Sequence, residues 1–185
     1  MTTVKPTTPF PFFTVGHSIR SFDEFVGLLR TAGVRSVVDV RTVPRSRTNP
    51  QFNRDTLPQA LSEIPIGYEH IPALGGLRGV SRDVPPRVNG FWQNQSFHNY
   101  ADYAMSESFR KGFRRLLDLG HQQPTAIMCA EAVWWRCHRR IIADYLIGGG
   151  ETVFHVLSPN RIKPATLTPA AKLGLDTVIT YPAAA

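Results

Sequence analysis

The sequence predicts a single α/β domain built on an open, mostly parallel sheet with helices on both faces. Short apolar segments with the composition of strands alternate with amphipathic segments that have the spacing of helices. Such alternation favours right-handed crossovers, which place successive strands parallel to one another. The chain has 185 residues, a length that suits one domain, and no repeat or linker divides it. The predicted layering is Rossmann-like, without a dinucleotide fingerprint.

The first half of the chain contains three predicted strands, at residues 10–15, 34–40 and 68–72. Residues 1–9 are rich in Thr and Pro and are predicted to form a flexible N-terminal segment. After the first strand, Ser21 and Glu24 have the spacing of a capping box, which begins a helix. Gly33 is placed to end that helix with a left-handed residue.

Irregular segments interrupt this alternation. Residues 41–53 are too rich in Pro, Asn and Arg for regular structure, and a short helix is expected at residues 55–63. Residues 75–90 form a long predicted loop, and long loops inside domains are often binding loops or lids. Residues 96–119 have helical spacing, with a predicted break near residues 106–108.

The second half of the chain completes the predicted sheet. Residues 125–130 are a buried strand, residues 135–147 an amphipathic helix, and residues 151–157 the last strand. The α/β domain is therefore expected to cover residues 10–157. The tail, residues 158–185, has no clear periodicity and is expected to pack on the domain or extend from it.

The charge balance favours an anionic partner, because the formal net charge is +7. A small anionic molecule or nucleotide is expected rather than a nucleic acid, although the same charge also suits a basic protein with no such partner. No apolar run approaches the length of a membrane span, and the N-terminus lacks the pattern of a secretory signal. The expected location is the cytoplasm, with no membrane partner.

Polar residues follow three of the predicted strands, at the point where each strand ends. In a parallel sheet these carboxyl ends meet at one edge, where α/β proteins bind their ligands. The sequence therefore predicts one ligand cleft, formed by His17 and Ser18 after the first strand, Asp39 and Arg41 after the second, and Cys129 and Glu131 after the fourth.

The loop after the second strand is a candidate anion site. Arg45, Ser46 and Asn49 follow Arg41 and supply many hydrogen-bond donors. Asp39 and Arg41 lie on the same face of the strand, so the alternative is a structural salt bridge between them. The glycine spacing of a Walker loop is missing, and no cofactor is predicted.

Two residues are predicted to be catalytic. Glu131 precedes the helix at residues 135–147, and its carboxylate is a candidate acceptor of protons or hydrogen bonds. His138 is a candidate acid partner near neutral pH. Arg139 beside them is a candidate anion-binding residue. The alternative is a structural hydrogen-bond network at the start of the helix.

The two cysteines lie in the same region. Cys129, at a strand end before a helix, has the placement of a nucleophile, but Arg136 is too far along the chain for the phosphatase pattern. Cys129 is therefore predicted to line the site as a buried thiol. No metal is predicted, because the spacing matches no recurrent site and because Cys137 and His138 would point about 100° apart on a helix.

Four segments resemble a known family when they are taken in order: TVGHSIRSFDEF, VVDVRTVPRSRTNPQFN, YEHIPALGG and MCAEAVWWRCHRRIIADYL. They resemble the family named domain of unknown function 488 over about residues 13–157. The resemblance implies a compact α/β domain and brings no general activity with it. The positions that match its motifs are His17, Ser18, Asp39, Arg41, Pro44, Ser46, Asn49, Pro50, Phe52, Asn53, Leu74, Gly75, Gly76, Cys129, Glu131, Cys137, His138 and Arg139.

Two classes of function agree with these observations. The first is a small enzyme, a hydrolase or a transferase, that acts on a phosphate-bearing or nucleobase-bearing ligand at the strand ends. The alternative is a non-catalytic nucleic-acid-binding or ligand-sensing module. A deep pocket around Glu131 would favour the enzyme. Tryptophans exposed beside the arginines, from among Trp92, Trp134 and Trp135, would favour the module.

Overall fold

A computed structural model describes residues 10–184 of the chain, so the predicted flexible segment at residues 1–9 lies outside the described residues. The central sheet contains β1 (Phe12–Gly16), β2 (Ser36–Asp39), β3 (Gly67–His70), β4 (Thr125–Cys129), β5 (Val153–Ser158) and β6 (Arg161–Pro164). Their spatial order is β3-β2-β4-β1-β5-β6. The first five strands run parallel, and β6 runs antiparallel to β5. The mostly parallel sheet predicted from the sequence is confirmed.

Helices cover both faces of the sheet, as predicted. They are α1 (Phe22–Thr31), α2 (Leu57–Ser62), α3 (Gln95–Ala104), α4 (Glu107–Gly120) and α5 (Arg139–Gly148). Side chains alternate along each strand, so Phe13 of β1 packs in the cluster with α1 and α2, whereas Phe12 packs in the cluster with α3, α4 and α5. By the same alternation, Cys129 at the end of β4 faces α5.

The local signals that predicted α1 are present in the structure. The Ser21 hydroxyl accepts a hydrogen bond from the amide of Glu24 at 3.1 Å, and the Glu24 carboxylate accepts one from the amide of Ser21 at 2.7 Å. Gly33 has a φ of +69°, a left-handed conformation that glycine adopts without strain. The predicted break near residues 106–108 is also observed, because Ser106 caps the start of α4.

The predicted helix at residues 135–147 is wrong at its start. Trp134–Arg136 forms a 3₁₀ turn, and Cys137 has extended backbone angles, φ −133° and ψ 147°. Helix α5 begins only at Arg139. Tertiary packing accounts for the difference, because the extended backbone directs the Cys137 thiol inward against Cys129. This change decides the geometry of the site.

The C-terminal tail adds structure that the sequence pattern did not reveal. It contributes β6 and a two-stranded antiparallel sheet of β7 (Lys172–Leu173) and β8 (Ile179–Thr180). Tyr181 is fully buried and donates a hydrogen bond from its hydroxyl to Asp144 in α5 at 2.9 Å. The tail therefore packs against α5. Within residues 10–184, every helix is too short or too polar to cross a bilayer.

Candidate functional site

The loops that follow β2, β3 and β4, three neighbouring strands of the sheet, surround one cleft at the carboxyl ends of these strands. The register pairs Gly16 of β1 with Cys129 of β4, and Asp39 of β2 with Met128. The cleft has a volume of about 370 Å³. Its walls include Arg41 and Gly76 from the loops after β2 and β3, and the segment after β4 that contains Cys129, Glu131, Arg136, Cys137 and His138.

Two thiols and an imidazole lie together at the floor of this cleft. The Sγ atoms of Cys129 and Cys137 are 3.0 Å apart, and Nδ1 of His138 is 3.5 Å from the Sγ of Cys137. Both cysteines are free thiols and are buried. The expectation that Cys137 and His138 point apart is wrong, because Cys137 is extended and His138 precedes the first turn of α5.

The tautomer of His138 follows from its other contact. Its Nε2 atom lies 2.8 Å from the main-chain oxygen of Val40, and a carbonyl oxygen only accepts hydrogen bonds. Nε2 therefore carries a proton, and in the neutral ring Nδ1 presents a lone pair to the cysteines. Gly76 approaches the same ring closely, since a Cβ atom at Gly76 would lie 2.5 Å from Nδ1.

Arg139 lies beneath the thiols and is 1% exposed. Its Nε–H donates to the Sγ of Cys137 at 3.3 Å, and its Nη2 donates to the main-chain oxygen of Glu131. None of the ion pairs within residues 10–184 includes this guanidinium. A buried cation needs a negative partner, and the sulfur of Cys137 occupies that position. Arg139 thus contacts the thiols from below instead of facing a ligand.

The two thiols differ in their pKa values. Burial raises the pKa of Cys137, but the hydrogen bond from Cys129 and the positive charge of Arg139 together lower it well below the ordinary value. The hydrogen bond to Cys137 and burial raise the pKa of Cys129. Of the two thiols, Cys137 is therefore the more acidic.

The Asp39–Arg41 pair is a buried salt bridge. Nε and Nη2 of Arg41 donate to the two carboxylate oxygens at 2.9 and 2.6 Å, and Nη2 also donates to the main-chain oxygen of Phe52. Nη1 contacts Nε2 of His17 at 3.2 Å. Four of the five N–H donors of Arg41 are therefore engaged within the described residues. This geometry matches the structural alternative and leaves one donor for a ligand.

His17 completes this buried network as a neutral ring. Its Nδ1 lies 2.8 Å from the main-chain oxygen of Ser18, and its ring stacks on Phe52 at a centroid distance of 4.3 Å. Burial lowers the pKa of His17 to about 4, with Arg41 acting in the same direction. The ring is therefore uncharged near neutral pH and accepts a hydrogen bond from Arg41 at Nε2.

The predicted site residues divide between two adjoining clefts. Arg41, Cys129, Glu131 and His138 line the larger cleft, and Asp39 and Arg139 are buried behind it. A neighbouring cleft of about 320 Å³ is lined by the other predicted residues: His17, Ser18, Arg45, Ser46 and Asn49. Arg41 borders both clefts.

Two residues of the larger cleft had no predicted role in ligand binding. Arg136 is exposed on its wall, and no ion pair within residues 10–184 includes it. Gly76 belongs to the predicted long loop. The two consecutive glycines, Gly75 and Gly76, are the sequence signal that could have indicated a close approach of the backbone to another residue.

The three tryptophans differ in their exposure. Trp92 is buried, Trp134 stacks on His155, and Trp135 is 46% exposed.

The family model described as "Domain of unknown function DUF488" matches residues 21–146, which is most of the chain. No curated protein and no solved structure matches the chain. The match covers the strands β2, β3 and β4 and the segment that carries both cysteines and His138. By sequence, this protein belongs to the DUF488 family.

Proposed function

We propose that this protein is a small cytoplasmic enzyme, a hydrolase or a transferase, that acts on a phosphate-bearing or nucleobase-bearing ligand in the larger cleft. One observation carries the proposal: the cleft combines Arg136, a cation with no acidic partner among residues 10–184, with the polar side chains of Glu131 and His138. Its volume of about 370 Å³ suits a small molecule. A reducing compartment suits the free thiols on its floor.

Each polar residue has a role that its surroundings support. Arg136 binds the anionic group of the ligand, because its guanidinium is exposed and faces no described carboxylate. Glu131 is exposed on the same wall and acts as the general base. His138 exchanges protons through Nδ1, since Nε2 is engaged with Val40. Arg41 contributes one donor at most, because Asp39, the main-chain oxygen of Phe52 and His17 engage the other four.

Binding measurements test the ligand class. Inorganic phosphate, nucleoside monophosphates and short oligonucleotides are titrated at several salt concentrations. Small phosphate compounds should bind with a modest salt dependence, and Arg136→Ala should weaken binding by about 10- to 100-fold, the scale of a charged hydrogen bond. Arg45→Ala is the matched control, since Arg45 lies 3.5 Å from Asp55 and lines the other cleft. Weaker binding in Arg45→Ala alone would place the ligand in that other cleft.

An assay for turnover distinguishes the proposed enzyme from a non-catalytic binding module. A compound that binds should be hydrolysed, or should transfer a group to an acceptor, and Glu131→Gln should abolish this reaction while binding persists. A ligand that binds and is recovered unchanged would instead indicate a sensing module. Oligonucleotide binding whose logarithm falls steeply and linearly with the logarithm of salt would indicate a nucleic-acid-binding module.

A further inference from the structure

Three side-chain atoms at the floor of the larger cleft are arranged like ligands of one metal ion. The donor atoms of Cys129, Cys137 and His138 all lie within 4.8 Å of one another. Neighbouring donors of a tetrahedral zinc ion, with bonds of about 2.0–2.3 Å, are separated by roughly 3.5–3.8 Å. The observed distance from Cys137 Sγ to His138 Nδ1 is 3.5 Å, and the two sulfurs are 3.0 Å apart. A small side-chain rotation therefore suffices to open the sulfurs around an ion.

The hydrogen bonds of His138 prepare its ring for coordination. A histidine that binds a metal commonly donates its other N–H to a carbonyl or carboxylate, which fixes the tautomer and the ring plane. The contact from Nε2 to the main-chain oxygen of Val40, at 2.8 Å, is of this kind. It directs the lone pair of Nδ1 toward the two sulfurs.

N–H donors also surround the sulfurs. The amide of Glu131 lies 3.5 Å from the Sγ of Cys129, and the amide of Arg139 lies 3.5 Å from the Sγ of Cys137. The side-chain Nε–H of Arg139 approaches the Cys137 sulfur at 3.3 Å. Donors of this kind favour the thiolate form of cysteine, which is the form that coordinates metals.

One side of the cluster is open to the cleft. All three residues line the 370 Å³ cleft, and the residue that approaches Nδ1 from the loop is Gly76, which has no side chain to fill the space. Structural zinc sites use four protein ligands, whereas catalytic sites use three and leave one position for water or substrate. Two sulfurs and one imidazole nitrogen are a soft set of donors that favours zinc over magnesium or calcium.

We infer that Cys129, Cys137 and His138 bind one zinc ion, with the fourth coordination position open to the cleft. This inference goes beyond the proposed function, because metal binding does not depend on turnover. When zinc is bound, the Nδ1 lone pair is a ligand, and Glu131 on the same wall becomes the acid–base group of the cleft. The prediction that no metal binds had two grounds, the unusual spacing of the ligands and a helical Cys137, and the structure removes the second of them.

The test uses the full chain, reduced, stripped with a chelator and titrated with zinc against a chromophoric competitor. One equivalent per chain should bind, and cobalt in place of zinc should give the strong visible bands and thiolate charge-transfer absorption of a tetrahedral site. Cys137→Ser and His138→Gln should each weaken binding by roughly 100-fold or more. His121→Gln is the control, because its ring is 40% exposed and lies outside the cluster.

A second measurement stays informative if a cysteine variant fails to fold. The chain has only two cysteines, so counting the thiols that react with an alkylating reagent reports both ligands directly. Zinc should protect both thiols, and a chelator should restore their reaction. Absence of binding at micromolar free zinc, or equal alkylation with and without zinc, would overturn the inference. Neither result concerns the binding of phosphate compounds, so the proposed function is tested separately.

Discussion

The imidazole Nε2 of His138 lies 2.8 Å from the main-chain oxygen of Val40, although the two residues are 98 positions apart in the chain. Val40 directly follows β2 and is buried in the core between the sheet and α5. The orientation of the His138 ring is therefore set by the sheet as well as by its own segment. This contact joins the start of α5 to the end of β2 at the floor of the larger cleft.

The buried salt bridge between Asp39 and Arg41 should dominate the stability of the region. Arg41→Ala leaves a fully buried carboxylate without its partner, which should lower the free energy of unfolding by about 3–5 kcal/mol. Arg45→Ala is the matched control, because Arg45 and Asp55 are 74% and 78% exposed, and it should change stability little. Chemical denaturation measures both variants. A similar, small loss in the two would contradict the structural role of Arg41.

Gly16 should be intolerant of a side chain. A Cβ atom there would lie 1.7 Å from the main-chain oxygen of Glu131, so Gly16→Ala must displace the loop that follows β4. We expect a loss of about 1–3 kcal/mol, the range for overpacking. Gly27→Ala in α1 is the control, because no atom lies within 4 Å of its added Cβ and alanine favours a helix. Thermal unfolding should rank Gly27→Ala at or above wild type and Gly16→Ala well below it.

A side chain at Gly76 should displace the imidazole ring of His138. A Cβ atom at Gly76 would lie 2.5 Å from Nδ1 and 2.9 Å from Cε1 of this ring, so Gly76→Ala must rotate the ring or move the loop. We expect zinc affinity to fall by roughly 10- to 100-fold, as for changes beside metal ligands, with the secondary structure unchanged. Gly79→Ala in the same loop has open space around its Cβ and should bind zinc like wild type. Equal affinities in the two variants would contradict the proposed geometry.

Stability should fall as the pH is lowered through the range from 6.5 to 4. Burial lowers the pKa of His17 and of His155 to about 4, whereas an unfolded chain has histidine pKa values near 6.5. Between these values the unfolded state binds more protons, so each ring contributes a slope of up to about 1.4 kcal/mol per pH unit, with stability greatest above pH 6.5. Denaturation at a series of pH values measures the slope, which His155→Gln should reduce. An unchanged slope would show that folding does not lower the pKa of His155.

Much of the fold could be predicted because its signals are local. The apolar run at Phe12–Gly16 and the capping box at Ser21 and Glu24 each indicate an element without reference to the rest of the chain. The placement of Arg41 and Glu131 along one cleft follows from the rule that parallel strands end at one edge, since these residues come just after β2 and β4.

The remaining features depend on contacts between distant residues. Cys137 continues a helical pattern in the sequence, and its extended backbone is explained only by its contact with Cys129. The guanidinium of Arg41 is held by hydrogen bonds with the main-chain oxygen of Phe52 and with His17, and no spacing rule in the sequence connects these residues to Arg41. The strands of the tail are only two to four residues long, and β6 and β7 are mostly exposed, so they carry little hydrophobic periodicity.

The order of strands in the sheet has a consequence for synthesis on the ribosome. β1 emerges first, yet its two neighbours in the sheet are β4 and β5, which begin at Thr125 and Val153. A nascent chain that ends before β4 can pair β2 with β3 but leaves the apolar FFTVG segment of β1 with neither neighbour. The cleft residues therefore assemble only after most of the polypeptide has been translated, and until then β1 is a hydrophobic segment available to chaperones.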